Sequence, residues 1–223
     1  MSRPSSAAHP ASGPWPLLVL GSTSRYRREL LERLRLPFVV ASPEVDEQPL
    51  PGESPAELAL RLALAKAEAV AALMAVREPG RDVVVIGSDQ VAELDGEPIG
   101  KPGTHERAVA QLRRMSGRSV VFHTAVSVVR PDRGLRHTVI VPVQVRFREL
   151  GDAEIETYLR LDRPYDCAGS AKCETLGISL LAAIESDDPT ALIGLPLIAT
   201  SRLLREAGVD PLQMLATTGE ARP

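Results

Sequence analysis

The chain has 223 residues, 44% hydrophobic and 25% charged, an ordinary globular composition whose length suits one domain or two lobes sharing a core. With 26 basic and 29 acidic residues the formal net charge is −3, so no global field holds polyanions and a nucleic-acid scaffold is disfavoured. Two cysteines at C-x5-C spacing, with no histidine nearby, make no zinc pattern, and the four histidines are too scattered for a histidine metal site. No apolar run approaches the roughly 20 residues of a membrane helix.

Residues 1–14, rich in Pro, Ser and Ala, read as a disordered extension. The apolar stretch 17–20 is too short for a signal-peptide core, so a cytoplasmic protein with two free thiols is expected. That stretch reads as a buried strand, followed by the turn Gly21-Ser22-Thr23-Ser24 and a helix from Tyr26 to about Arg35. Residues 37–41 form a second strand, and 42–53, with four acids and three prolines, a loop. Ser54-Pro55-Ala56-Glu57 is a capping box with proline at the first helical position, opening a helix to about Arg77 with Leu58, Leu62, Ala65 and Ala69 on one face. Residues 83–87 read as a buried strand and 91–99 as a hairpin turning at Asp95-Gly96. Thr104 caps a helix ending at Ser116-Gly117. Strands near 119–129 and 137–147 follow, joined by Pro131-Asp132-Arg133-Gly134. A helix over 152–160, a polar loop 167–174, a strand near 177–183 and a helix from Pro196 to Glu206 complete the order. The prediction is an α/β chain of mixed strand order, with one domain over 15–213 and a flexible tail over 214–223.

The chemistry gathers in five places. Arg25, Arg27 and Arg28 crowd the start of the first helix, where cations oppose the helix dipole unless an anion binds. Asp89 follows a hydrophobic strand, where a plain turn or cap is the alternative. The acidic loop Pro43-Glu44-Val45-Asp46-Glu47 is either a solvated turn or, with Asp89, a seat for a Mg2+-like ion. Gly100-Lys101-Pro102 braces one lysine, and Cys167-Ala168-Gly169-Ser170-Ala171-Lys172-Cys173-Glu174 holds another. The third, Lys66, lies on the long helix. Only these three of the 26 basic residues are lysines, leaving 23 arginines, so a need for a compact ammonium at these positions is a live alternative to chance.

Taken together, S-T-S-R-Y-R-R, P-E-V-D-E, R-L-A-L-A-K-A, G-S-D-Q, G-K-P, C-A-G-S-A-K-C-E and G-L-P-L resemble the Maf family of nucleotide pyrophosphatases, in order from about Leu17 to Leu212. The resemblance implies a two-lobed, mixed-sheet α/β fold around a cleft, similar to inosine triphosphate pyrophosphatases. It also implies hydrolysis of a nucleoside triphosphate between the α and β phosphates with a divalent metal, Mg2+ or Mn2+. By position, Asp89 would be the proton acceptor, a metal ligand, or both. Ser22, Arg25, Arg27, Arg28, Lys66 and Lys101 would line the triphosphate, and Glu44 would support metal or water.

Tyr26, Gln90 and Glu174 resemble the branch acting on 7-methyl-GTP, where a dTTP/UTP branch has arginine, threonine and glutamine. Methylation at N7 makes guanine a delocalised cation, suited to the Tyr26 face and the Glu174 carboxylate, with Lys172 beside them. The alternatives are a dTTP/UTP pyrophosphatase, or a nucleotide-binding cell-division regulator without useful turnover. No nucleic acid or membrane is expected as partner, and a homodimer is open.

Overall fold

In the computed structural model, which describes residues 15–218, a seven-stranded mixed sheet is flanked by six α-helices. The expected 1–14 extension lies outside the described residues. Strand β1 (Leu17–Gly21) runs into helix α1 (Arg25–Glu32), then β2 (Val39–Ala41) and α2 (Pro55–Arg77). Next come β3 (Val83–Leu94), β4 (Glu97–Ile99), α3 (His105–Met115), β5 (Ser119–Arg130) and β6 (Leu135–Phe147). Helix α4 (Asp152–Asp162), β7 (Leu181–Glu185), α5 (Leu197–Glu206) and α6 (Pro211–Thr218) end the chain. The sheet order is β2-β1-β3-β5-β6-β7, with β4 beside β3. β1 pairs in parallel with β2 and β3, and the remaining pairs are antiparallel.

Alternation along the strands divides the core. Leu18, Leu20, Val84, Ile86, Val126 and Val128 pack with Leu30, Leu31, Leu203, Leu204 and Met214 from α1, α5 and α6. Val19, Val83, Val85 and Val129 belong to a second cluster, with Ala67, Val70, Ala71 and Met74 of α2. At the far end of the sheet Leu94, Phe122, Val143, Val145 and Phe147 pack with Leu112, Met115, Ile155 and Leu159 of α3 and α4. Among the described residues no helix is long and apolar enough to cross a membrane.

Several boundaries differ from the sequence expectation, each for a local reason. α1 ends at Glu32, because bonds from Arg33, Leu34 and Arg35 to carbonyls three residues back tighten its last turn and Arg35 adopts a left-handed conformation before Pro37. On α2 the buried face carries Ala59, Ala63, Ala67 and Ala71, while Ala65 and Ala69 are only half-buried. The last strand starts at Leu181, because residues 176–180 form a 3-10 turn. The tail expected from 214 is helical to Thr218: Asp210 Oδ1 accepts from the backbone N–H groups of Leu212 and Gln213, Pro211 opens the helix, and Met214 is buried.

The largest difference is at β3. It does not stop at Gly87 but continues through Asp89 to Leu94, because β5 pairs with it without interruption from Val85 to Glu93. Asp89 is therefore mid-strand.

Candidate active site

The cleft exists because β3 has an incomplete neighbour. On one side, β1 pairs with it as far as Gly21 opposite Gly87, and β4 resumes only at Ile99 opposite Ala92. Among the described residues, 88–91 thus pair with a strand only on the β5 side. The gap opens into a cleft of about 810 Å3. Asp89 sits on its floor, 11% exposed.

Helix α2 crosses β3 at very short range. A Cβ built on Gly87 would lie 2.3 Å from Ala63 O and 2.6 Å from Ala67 N, so only glycine permits this approach, and the alanine stripe of α2 supplies the other half of the fit. The approach delivers Lys66 to the cleft floor. Its ammonium donates to Asp89 Oδ1 at 2.6 Å and pairs with Glu47 Oε1 at 2.6 Å, with its side chain only 6% exposed. The Lys66 contact holds the Glu47 carboxyl below its usual range, with burial opposing and with Lys101 and Arg27 adding to the effect.

Above this floor, Ser24 caps α1 by accepting from Arg27 N, and Ser22, itself buried, accepts from Ser24 N. Arg27 Nε donates to Gly194 O at 2.9 Å. Burial weighs on the Arg27 guanidinium and lowers its pKa, while Asp89 and Glu47 favour its charge. Ser88 Oγ reaches the carbonyls of both Ala125 and Gly194, and Gln90 Nε2 donates to Thr124 Oγ1 and to the carbonyls of Ala191 and Leu192. The G-L-P-L loop is thus clamped to β3. Buried Asp188 secures its other end by accepting from the N–H groups of Ile198 and Ala199 at the start of α5.

Also on the cleft wall, the Arg25 guanidinium lies 4.7 Å and the Lys172 ammonium 5.8 Å from the Tyr26 ring centre. Arg25 also donates to Tyr26 Oη. Lys172 pairs with Asp166 at 3.1 Å. Burial acts against the Lys172 charge, but Tyr26 and Asp166 outweigh it and raise its pKa. Exposed Glu174 lies nearby on the cleft wall. The thiols of Cys167 and Cys173 are pushed up to about 12 by burial, which makes them poor nucleophiles.

The sequence pattern of the Maf-like protein family matches residues 17–207. The chain belongs to the Maf-like family. A relative from Polaromonas sp. (strain JS666), named 7-methyl-GTP pyrophosphatase, is 62% identical over 93% of this chain and 91% of its own. Relatives of the same name from Bordetella pertussis (61% identical; 88% and 95% covered) and Burkholderia thailandensis (62%; 86% and 88%) agree.

This Maf-like chain brings Ser22, Arg25, Tyr26, Arg27, Lys66, Asp89, Gln90, Lys101, Lys172 and Glu174 to the walls of the one cleft. Two residues singled out from the sequence are not there. Arg28 points outward on α1, 63% exposed and paired with Glu32, because one helical step turns it about 100° from Arg27. Glu44 is exposed and does not line the cleft, and Glu47 reaches Lys66 instead. An irregular loop has no period from which to choose among three acids. Asp166 was missed as well, its only sequence signal being its place beside C-A-G-S.

Proposed function

We propose that this protein hydrolyses a nucleoside triphosphate between the α and β phosphates, releasing a nucleoside monophosphate and pyrophosphate, and that its substrate is 7-methyl-GTP. The observation that carries this reading is one cleft lined by two separate contact groups, the ion-paired Lys66, Asp89 and Glu47 and the group of Tyr26, Arg25, Lys172 and Asp166. The distribution suits a ligand with an anionic tail and a cationic, hydrogen-bonding head. The names of the relatives, each covering most of this chain, support it.

Attack by water on a phosphoryl centre needs a group to take or orient a proton and cations to stabilise the equatorial oxygens. Asp89 is the first. With Oδ1 engaged by Lys66, its second oxygen is the one to orient water and accept the proton. Arg27, Lys66 and Lys101 supply the second, and the burial of Lys66 and half-burial of Arg27 strengthen them there. Ser22 and the N–H groups opening α1 complete a cradle for the tail.

A divalent ion fits this site. Asp89 and Glu47 are hard oxygen donors that reach one common cation, the Lys66 ammonium, and are therefore close enough to share an ion. Two carboxylates suit Mg2+, an ion that takes one or two such ligands and completes its shell with water and phosphate. Asp89 and Glu47 would hold it, and when bound it would neutralise charge on the phosphate oxygens.

At the head end, Tyr26 already receives two cations. Arg25 is the exposed one, and its departure toward the phosphates would free a ring face for the methylated base. Asp166 and Glu174 would then accept from the guanine N1–H and amino group and offset its charge. A cytoplasmic location belongs to the same reading, since free thiols such as Cys167 and Cys173 suit a reducing compartment. The test is pyrophosphate release from a panel of 7-methyl-GTP, GTP, dTTP and UTP with Mg2+ or Mn2+. Turnover of dTTP and UTP without 7-methyl-GTP would reject the substrate. Binding without pyrophosphate release would reject the enzyme.

A further inference from the structure

We infer that Gln111, which does not line the cleft, is a positioning residue that couples the base end of the site to the phosphate end. Gln111 lies half-buried on α3, and its side-chain amide spans two loops. Nε2 donates to Gly100 O at 3.0 Å, one peptide from Lys101, and Oε1 accepts from Ser170 Oγ at 2.5 Å, two residues before Lys172. A second tie joins the same segments, from Gly103 N to Tyr165 O at 3.1 Å.

The side-chain chemistry is specific. An amide presents a donor and an acceptor in one rigid plane, whereas glutamate could only accept and lysine only donate. The Ser170 end is also unusual. This residue is fully buried with φ of +52°, a left-handed conformation that a non-glycine residue keeps only when its surroundings require it. Beside it Gly169, at φ +71°, passes so close to Phe122 that an added Cβ would lie 3.0 Å from the ring. The loop bearing Lys172 and Glu174 is thus held in one shape, and Gln111 passes that shape to the loop bearing Lys101.

The consequence is that base fit also sets where Lys101 stands against the phosphates. Selectivity then enters through turnover as well as through binding. The kinetic form of this inference rests on the pyrophosphatase reading, but the structural form does not.

Hydrogen exchange of the full chain without nucleotide tests the coupling. Ser170→Ala should speed exchange in 98–103 as well as in 167–174, although Ser170 makes no hydrogen bond to the first segment. Gln111→Ala, a substitution that favours the helix, should loosen both. Faster exchange confined to 167–174 in the Ser170 variant, or an unmoved 98–103 in the Gln111 variant, overturns the proposal. In kinetics, Gln111→Ala should lower kcat/KM for 7-methyl-GTP about tenfold, the effect of two lost hydrogen bonds of ordinary net strength, and narrow the preference over GTP. Gln111→Glu, which keeps the acceptor for Ser170 but loses the donor to Gly100, should lower kcat while leaving KM nearly unchanged. Equal losses for both nucleotides overturn the coupling. No pyrophosphate from any nucleotide with the unaltered chain rejects the pyrophosphatase reading instead, and the exchange result then decides the coupling alone.

Discussion

The Lys66 ammonium donates to Asp89 Oδ1 at 2.6 Å across the contact of α2 with β3, and the same nitrogen lies 2.6 Å from Glu47 Oε1. One compact cation therefore orders both carboxylates of the catalytic end. Lysine suits this slot because its charge is a point at the end of a thin stem, whereas a planar guanidinium needs more width than a side chain 6% exposed is allowed. Lys66→Arg is expected to lower kcat roughly 10²- to 10³-fold, the range for losing one preorganised electrostatic partner. Steady-state kinetics check it, and retained turnover would make the lysine incidental.

Asp89→Asn should lower kcat roughly 10²- to 10⁴-fold, the usual contribution of general base catalysis, with KM changed only a few-fold. A thermal melt run in parallel separates this from unfolding, since the change also leaves Lys66 with one carboxylate fewer.

The choice between acids of the 42–53 loop is open to direct comparison. Glu47→Gln should raise the Mg2+ concentration for half-maximal rate about tenfold or more, the loss of a charged contact. Glu44→Gln should leave it within about twofold, as for an ordinary surface substitution. The reverse order would return the role to Glu44.

Gly87→Ala tests the helix–strand contact. Its backbone is extended, so the penalty arises from contact alone: the new methyl would meet Ala63 O and Ala67 N inside van der Waals range. Overpacking of this kind costs about 3 kcal/mol, or about 6–12 °C in Tm for a chain of this length. Because Lys66 rides on the same turn of α2, activity should fall at temperatures where the variant is still folded.

The loop carrying Glu47 is anchored by Glu53, whose carboxyl is held at about 2 by its hydrogen bond with Arg61. A carboxyl depressed from 4.5 contributes stability that is complete above 4.5 and is lost as pH falls toward 2. Thermal melts should therefore show the gap between the parent and Arg61→Gln closing across that window. A gap that is constant with pH would remove this anchor from the account.

The elements that carry the site were legible in the sequence, because their signals are local. The Ser54 capping box and the Thr104 cap each rest on contacts within a few residues, the strand around Val85 announces itself by an unbroken apolar run, and the structure contains them all. The family resemblance then pointed to residues of which all but Arg28 and Glu44 line the cleft. What it could not resolve was which of two adjacent side chains turns inward. Arg27 and Arg28 differ only by a helical step, and Glu44 and Glu47 only by the path of an irregular loop.

The net charge of −3 and the presence of only three lysines were properties of the sequence alone, and they excluded a polyanion scaffold while marking Lys66, Lys101 and Lys172. The tertiary structure decided what those lysines do. Lys66 meets Asp89 because Gly87 lets a helix descend onto a strand whose neighbour has ended, and Lys172 meets Asp166 and Tyr26 because the 167–174 loop carries its ammonium to the Tyr26 ring on α1. Caps and periodicity arise from neighbours along the chain, whereas a cleft arises from where strands run out, and that depends on every pairing in the sheet at once.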